Sequence, residues 1–242
     1  MSAPPSPTAP GAEPSPAAGE QAIAGYRCHV YDLVIAGRTI RAWGPVEPYS
    51  LIDRPANQQR FEQDEYLPYW AQPWPAAVML ADFVARHDPA GDAPMLEVGS
   101  GLGISAIGLA RAGRCVIASD YDAEALTFIR HNAACNGATL HDVRLIDWRQ
   151  PPRATFETLL AADVTYEKRS LEPLTAFIAS CLAPRGRAYV ADANRAAAGA
   201  LPRVLKSAGL TFEIVPAEGP AIGGLDTPDS GTRPGRIFVI SR

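Results

Sequence analysis

The chain has 242 residues, a formal net charge of −4, and 47% hydrophobic residues. This length suits one sizeable domain, because single hydrophobic cores usually stop growing near ~250–300 residues. The acidic balance disfavours nucleic acid as a partner. No run of ~18 apolar residues predicts a membrane span. The first twenty residues lack the basic start and apolar stretch of a secretory signal, so we expect no export.

Six of the 23 prolines lie within the first sixteen residues, mixed with Ala, Ser and Gly. Such a segment has little apolar surface to bury, which predicts a disordered tail over residues 1–20. The four cysteines and four histidines are not spaced as disulfide pairs or as metal ligands. We therefore expect a reduced, cytoplasmic protein without a metal site.

An N-terminal extension is predicted over residues 21–72. Residues 29–43 are two β-rich runs on either side of Ala36-Gly37, which predicts a β-hairpin. Residues 44–72 contain several prolines and predict a loop. At Pro73-Trp74-Pro75 the chain is expected to enter a helix, whose apolar residues recur at helical spacing.

From Met95 the sequence alternates between short apolar strands and helical patterns. The predicted strands are 95–98, 115–119, 142–146, 158–162, 188–191, 211–215 and 236–241; the predicted helices are 104–112, 122–135, 171–182 and 196–208. Repeated βα units require a doubly wound, mostly parallel sheet with helices on both faces. No helix is predicted between the last two strands, so the last strand should be antiparallel. Residues 73–242 are thus expected to form one Rossmann-like α/β core with seven strands.

A glycine-rich loop over residues 99–103 follows the first strand of this core and opens a helix. Ligands of open α/β sheets bind at this edge, and glycines let them approach the backbone amides. Asp120 ends the next strand, where an acid binds ribose hydroxyls. Ile104 stands where the dinucleotide pattern has its third glycine, which disfavours a nicotinamide oxidoreductase. Glu97 suits a cationic ligand such as S-adenosylmethionine (SAM) better than a pyrophosphate.

Three further groups of residues favour a ligand site. Asp147-Trp148 follows the third strand, and Asp147 could accept a hydrogen bond from an adenine amino group while Trp148 packs nearby. Asp163 ends the fourth strand, with Tyr166 three residues on. Residues 69–75 concentrate aromatic side chains just before the first helix of the core.

Together these motifs resemble the family-16 seven-β-strand methyltransferases, a group that contains many protein-lysine methyltransferases. The resemblance runs from about Tyr69 to Arg195 and rests on Trp74-Pro75, Glu97-Val98-Gly99-Ser100-Gly101, Ile146-Asp147-Trp148, and the D-x-x-Y motif of Asp163 and Tyr166. Residues 68–75 and 191–195 look most similar to the branch that methylates the β-subunit of electron-transfer flavoprotein. That branch has a D-P-x-R pattern, in which Ala193 here replaces the proline.

The resemblance implies SAM as the methyl donor and a set of residues around it: Trp74, Glu97, Gly99, Ser100, Gly101, Gly103, Asp120, Asp147, Trp148 and Ala162. It also implies Asp163 and Tyr166 as catalytic residues beside the substrate amine. An N-P-P-[YF] motif is absent after the fourth strand. This argues against base amines or glutamine amides as acceptors, whereas the charge of Asp163 suits an ammonium group.

A lysine must be neutral to accept a methyl group. With an ordinary pKa of ~10.4, only about one lysine in 2,500 is neutral at pH 7, which costs roughly 4.6 kcal/mol. A nearby carboxylate stabilises the ammonium rather than the amine, so Asp163 is expected to recruit and orient the lysine, not to act as its base. Desolvation and the sulfonium of SAM are expected to lower the lysine pKa, and Tyr166 to wall the transfer region.

The expected activity is methylation of an accessible lysine in a protein substrate by a monomeric, cytoplasmic enzyme that binds neither nucleic acid nor membrane. Two alternatives stay open on the same scaffold. One is a small-molecule N- or O-methyltransferase. The other is a SAM-binding module that regulates a partner without catalysis.

Overall fold

The computed structural model describes residues 20–88, 91–222 and 231–242. Of the predicted disordered tail, residues 1–19 lie outside these ranges, whereas Glu20 begins the first strand. Residues 223–230 of the predicted loop between the last two strands also lie outside them. None of the helices in the described ranges is both long enough and apolar enough to cross a membrane.

The N-terminal extension is an antiparallel three-stranded sheet of β1 (Glu20–Ile23), β2 (Tyr26–Ile35) and β3 (Arg38–Pro45). The predicted hairpin is confirmed as β2 and β3. Its two turn residues, Ala36 and Gly37, both have positive φ, as a two-residue hairpin turn of the primed type requires. The sequence did not reveal β1, because its four residues directly follow the proline-rich tail.

The predicted loop over residues 44–72 is wrong for its middle part, which forms helix α1 (Pro55–Asp64). Two 3-10 turns flank this helix, at Pro48–Asp53 and Tyr69–Ala71. Pro55 stands at the start of α1, where its missing N–H is tolerated. The helix has no apolar stripe and buries only Asn57, so hydrophobic periodicity could not reveal it.

The α/β core has the predicted architecture. Its strands are β4 (Met95–Val98), β5 (Val116–Asp120), β6 (Asp142–Leu145), β7 (Phe156–Ala162), β8 (Leu182–Asp192), β9 (Thr211–Pro220) and β10 (Thr232–Ser241). Its helices are α2 (Pro75–His87), α3 (Ile104–Arg111), α4 (Ala123–Cys135), α5 (Lys168–Cys181) and α6 (Leu201–Ser207). The single helix predicted over residues 196–208 is instead a 3-10 turn, Ala197–Ala200, followed by α6 with Pro202 in its first turn.

The seven core strands lie in the order β6-β5-β4-β7-β8-β10-β9. The pairs from β6 to β8 are parallel, and β10 runs antiparallel to both β8 and β9, as predicted. From β4 the chain moves outward through β5 and β6, then returns to the other side of β4 with β7. The strand order therefore reverses between β4 and β7, which is where such sheets bind ligands.

Apolar side chains cover both faces of this sheet. One hydrophobic cluster joins α2, α3 and α4 to the N-terminal sheet, and a second joins α5 and α6. Neighbouring strand residues alternate between the two clusters: Tyr189 packs in the first and Val190 in the second. The extension is thus part of the core packing and lies on the side of α3 and α4.

Candidate active site

A cavity lies at the carboxyl ends of β4, β5 and β7, next to the reversal of strand order. The predicted site residues that line it are Trp74, Glu97, Gly99, Ser100, Gly101, Asp120, Trp148, Ala162, Asp163 and Tyr166. Gly103 and Asp147 lie outside this lining. Further residues that sequence reasoning did not single out also line it, among them Tyr66, Tyr69, Gln72, Ser105 and Tyr121.

The glycine loop needs its glycines for two different reasons. Gly99 has a φ of +66°, and a Cβ there would lie 2.9 Å from Cγ1 of Val164 and 3.2 Å from the ring of Trp148. Only glycine therefore fits this floor of the cavity. Gly103, with a φ of +80°, instead faces Ile107 and Ile129 at the start of α3. Its contribution is to helix packing.

Glu97 is fully buried and faces the cavity. Ser100 Oγ donates a hydrogen bond to its Oε2 at 2.9 Å, and Ser105 Oγ donates to its Oε1. Burial raises the pKa of Glu97 to about 7, against the opposing effect of the two hydroxyls. A buried carboxyl group with this pKa is expected to ionise fully when a cationic ligand binds beside it.

Asp120 is the second buried acid of the cavity. The backbone N–H of Gly101 donates to its Oδ2 at 2.9 Å, and the backbone N–H of Asp122 donates to its Oδ1 at 3.0 Å. Burial raises its pKa to about 6. These two amides fix the carboxyl at the end of β5.

The lining of the cavity fits SAM by its charge. Its described residues include the acids Glu97 and Asp120, together with Asp163, which is paired with Arg195 from outside the lining, and they include no basic side chain. SAM carries a sulfonium, an ammonium and one carboxylate group and is therefore cationic overall, whereas a dinucleotide would bring a negative pyrophosphate next to these acids. This set of acidic side chains therefore suits a cationic ligand, as the sequence predicts from Glu97.

Asp147 faces a different, adjoining cavity. That cavity is also lined by Tyr121, Trp148, Arg149 and Tyr166, so Trp148 and Tyr166 contribute to both. Arg149 folds back onto Asp147: its backbone N–H and its Nε each donate to Oδ1 at 2.9 Å. The role of Asp147 as a partner for adenine stays a prediction, and its carboxylate already has a guanidinium beside it.

Asp163 ends β7 in the left-handed region, with a φ of +54°, and its side chain is 1% exposed. Both carboxylate oxygens accept from Arg195, Oδ1 from Nε at 3.1 Å and Oδ2 from Nη2 at 2.9 Å. The Arg195 guanidinium also lies over the ring of Trp74, 4.9 Å from its centre. Arg195 follows β8, the sheet neighbour of β7. The sequence signals for Arg195 were its place just beyond an adjacent strand end and its match to the last residue of the D-P-x-R pattern, and neither of them predicted the pair with Asp163.

Aromatic side chains form the wall beside Asp163. The rings of Tyr69 and Tyr166 meet edge to face with centres 4.8 Å apart, and Trp74 lies 6.0 Å from Tyr69. Trp74 Nε1 donates to the carbonyl of Tyr69 at 2.9 Å. Burial raises the pKa of both tyrosines, so their phenols stay protonated at neutral pH.

Residues 60–69, here called the closing segment, contribute Tyr66, Leu67 and Tyr69 to the lining of the cavity. Arg60 Nη1 binds Oδ2 of Asp122 at 3.0 Å and lies 3.4 Å over the ring of Tyr66, whose hydroxyl also donates to Asp122. Farther along, Arg169 donates to the carbonyls of Asp64 at 2.7 Å and Glu65 at 3.0 Å. These contacts were not predicted, since α1 was not.

Comparison with known proteins gives the family of this chain. A family profile described as lysine methyltransferase matches residues 57–200, more than half of the chain. No curated protein sequence is significantly similar to the chain.

Solved structures share the fold at low identity. A TehB-like SAM-dependent methyltransferase from Corynebacterium glutamicum is 19% identical with a TM-score of 0.52, over 78% of this chain and 100% of that one. A ribosomal protein L11 methylase from Lactobacillus delbrueckii subsp. bulgaricus is 20% identical with a TM-score of 0.50, over 67% and 76%. TrmN from Thermus thermophilus is 20% identical with a TM-score of 0.52, over 69% of this chain and only 48% of that one.

The reversal of strand order, the glycine loop and the acidic cavity lie in one place, and the family match spans all of them. The cofactor is SAM, as predicted. The chain belongs to the lysine methyltransferase family and is a SAM-dependent methyltransferase.

Proposed function

We propose that this enzyme methylates the ε-amino group of a lysine side chain in a protein substrate. The observation that carries the proposal is the combination of Asp163 with the aromatic wall of Tyr69, Trp74 and Tyr166 beside the acidic cavity. Aromatic faces suit both the aliphatic stem of lysine and its positive or methylated end.

The residues that line the cavity would have separate roles in binding SAM and excluding water. SAM, when bound, supplies an electrophilic methyl group on a positively charged sulfur. Glu97 would face a positive group of SAM, and Asp120 would accept from its ribose hydroxyls. Trp148 and Tyr66 would exclude water from the reacting groups, which strengthens the electrostatic interactions there.

The acceptor must lie in line with the donated methyl group, so alignment is the main contribution of the protein. Asp163 would accept a hydrogen bond from the lysine nitrogen and orient it, with Tyr166 limiting its movement. No side chain of the described wall is a suitable base for the lysine proton. The proton would therefore pass to water before the aliphatic stem of the lysine closes the access to the cavity.

The test is transfer of an isotopically labelled methyl group from SAM to the proteins and metabolites of a cognate lysate. The β-subunit of electron-transfer flavoprotein is the first purified acceptor to try, given the resemblance of residues 68–75 and 191–195. We expect label on a protein lysine, identified by mass spectrometry. Label only on a metabolite would instead identify a small-molecule methyltransferase.

Asp163→Asn is the matching variant, since it keeps the size of the side chain and removes its charge. It is expected to retain SAM binding and to lose most methyl transfer. Asp142→Asn, at an exposed site on β6, serves as the control and should transfer normally. Equal transfer by Asp163→Asn and the native enzyme would remove Asp163 from the mechanism. That the enzyme acts as a cytoplasmic monomer stays a prediction.

A further inference from the structure

We propose that Arg195 is a positioning residue which makes the acceptor site favour the neutral amine of the target lysine over its ammonium. It would do so through Asp163, whose charge it balances in a two-point ion pair. This inference rests on the proposed function, and it changes the role that the sequence suggested for Asp163. The carboxylate would orient an amine rather than recruit an ammonium.

The contacts of Asp163 leave room for a lysine amine beside Arg195. Its side chain is 1% exposed, lines the cavity, and has both oxygens bound by Arg195 at 3.1 and 2.9 Å. Each carboxylate oxygen can accept more than one hydrogen bond. Asp163 can therefore accept an N–H from a lysine amine while Arg195 stays in place. The nitrogen lone pair is then free to attack.

The position of Arg195 is fixed by more than Asp163. Its guanidinium lies over Trp74, and its backbone N–H donates to Oδ1 of Asp192 at 3.2 Å. Asp192 is itself fully buried, with Arg236 Nη2 3.0 Å from its Oδ1 and Thr165 Oγ1 donating to its Oδ2 at 2.7 Å. This network reaches Arg195 from β8, β10 and the loop after β7. An incoming lysine would have to break a bidentate pair whose carboxylate is buried, although the Arg195 side chain is 36% exposed, so displacing Arg195 is unfavourable.

The net charge beside the lysine nitrogen determines whether its amine or its ammonium form is favoured. An isolated carboxylate beside the lysine would stabilise the ammonium and oppose methyl transfer. The Asp163–Arg195 pair has no net charge, so the positive sulfur of SAM dominates the field at the acceptor. That field favours the amine, which is the form that reacts.

The other charged or titratable groups around the acceptor do not reverse this balance. They are paired, protonated or matched to the cofactor: Asp192 with Arg236, Glu167 with Arg169, the phenols of Tyr69 and Tyr166, Glu97 opposite a positive group of SAM, and Asp120 at its ribose hydroxyls. Among the described residues, the Asp163–Arg195 pair is thus the contact that sets the local charge beside the aromatic wall.

The first experiment measures kcat and KM for the lysine acceptor against pH at saturating SAM. Arg195→Gln should lower kcat at pH 7 about tenfold, leave KM unchanged or lower, and move the alkaline rise of kcat up by about one pH unit. The reason is that Asp163 would then pair with the lysine ammonium. Arg195→Lys keeps the charge and should restore the native pH profile. Arg153→Gln removes an exposed positive charge elsewhere and should not change it.

Two outcomes of this experiment would overturn the inference. One is a lower kcat in Arg195→Gln with an unchanged pH profile, which indicates a purely structural role. The other is an Arg195→Lys variant that behaves like Arg195→Gln. A thermal shift with S-adenosylhomocysteine checks that each variant is folded.

A second experiment needs no acceptor. SAM has one more positive charge than S-adenosylhomocysteine, so the ratio of their affinities reports the field at the sulfur. Arg195→Gln leaves Asp163 unbalanced in the same cavity and should raise the preference for SAM about threefold or more. Arg195→Lys and Arg153→Gln should keep the native ratio. An unchanged ratio in Arg195→Gln contradicts the inference.

The two experiments separate the inference from the proposed function. If the native enzyme transfers methyl groups to lysine but Arg195→Gln changes neither pH profile nor affinity ratio, only the inference is wrong. If the affinity ratio changes but no lysine is methylated, the lysine acceptor is wrong, and with it the selection of the amine.

Discussion

Ser105, in the first turn of α3, donates a hydrogen bond to Oε1 of Glu97, the fully buried carboxyl of β4. With Ser100 on the other oxygen, it favours the ionised form of Glu97. Burial has the larger effect and raises the pKa to about 7. In the free protein, Glu97 therefore changes its charge within the neutral range.

The first prediction concerns stability against pH. The pKa of Glu97 rises from 4.5 to about 7 on folding, so between these values the folded protein holds a proton that the unfolded chain has released. The free energy of unfolding should then fall as pH rises through this window, by roughly 3 kcal/mol in total. Asp120 acts in the same direction between 3.8 and about 6. Urea unfolding from pH 5 to pH 8 measures the slope. Glu97→Gln should flatten it, and an equally steep slope in that variant would contradict the assignment.

The second prediction concerns cofactor binding. A cationic ligand favours ionised Glu97, so SAM binding should release a proton near pH 6.5 and tighten as pH rises from 6 to 8. Calorimetry in two buffers with different ionisation enthalpies measures the proton release directly. Glu97→Gln should bind SAM about tenfold or more weakly and release no proton from this site. Affinity for SAM that is independent of pH in the native enzyme would exclude this role for Glu97.

The third prediction concerns the floor of the cavity. Gly99→Ala forces an alanine into a φ of +66° and places its Cβ 2.9 Å from Val164. The unfavourable backbone conformation alone should lower the free energy of unfolding by about 1–2 kcal/mol, and the close contact with Val164 should lower it further. Gly113→Ala is the matched control, because Gly113 has a φ of +86° with nothing within 4 Å of the added Cβ. Both variants should lose stability in urea unfolding, but only Gly99→Ala should also lose affinity for S-adenosylhomocysteine. Equal affinities would show that the loop tolerates a side chain there.

The fourth prediction concerns the closing segment. Arg60 is 37% exposed, but its partner Asp122 is only 3% exposed, so their ion pair lies between the surface and buried cases. Arg60→Gln should cost about 1–2 kcal/mol of unfolding free energy and speed the release of S-adenosylhomocysteine. Arg144→Gln breaks an exposed pair with Asp142 and should cost about 0.5 kcal/mol or less. Stopped-flow release that is the same for Arg60→Gln and the native enzyme would mean that Arg60 does not hold the segment closed.

The sequence predicted those parts of the site that follow from strand topology. Glu97, Gly99 and Asp120 could be placed together because the carboxyl ends of adjacent parallel strands meet at one edge of a sheet. The same logic placed Asp163 there. The apolar periodicity of the core was equally informative, since β4 was predicted with the bounds it has in the structure and α2 was predicted to begin near Pro75, without a predicted end.

The sequence could not predict contacts that depend on side-chain reach between loops. The Asp163–Arg195 pair joins residues 32 positions apart, and only the folded structure shows that both oxygens of the acid are occupied. Helix α1 was missed for a different reason. Its stability comes from polar anchors such as Arg60, rather than from an apolar stripe that periodicity could detect.

The last prediction concerns the tie between the N-terminal sheet and the cofactor loop. Asn132, fully buried in α4, accepts from the backbone N–H of Trp43 at 2.8 Å and donates from Nδ2 to the carbonyls of Trp43 at 3.1 Å and Leu102 at 3.0 Å. Asn132→Asp keeps the shape but turns the donor into an acceptor that faces two carbonyls. The substitution should lower the free energy of unfolding by roughly 3 kcal/mol. It should also weaken binding of S-adenosylhomocysteine, because Leu102, which loses its hydrogen bond, lines the cavity.

Asn136→Asp provides the matched control one turn later. Asn136 makes the same kind of contacts with the backbone of Arg41, at 2.9 Å for the N–H and 2.7 Å for the carbonyl, and its amide has no bond to the cofactor loop in the described structure. Both variants should unfold at lower urea concentration, whereas only Asn132→Asp should lose affinity in calorimetry. If both lose affinity equally, the N-terminal sheet would support the site through its docking as a whole, and not through the bond from Asn132 to Leu102.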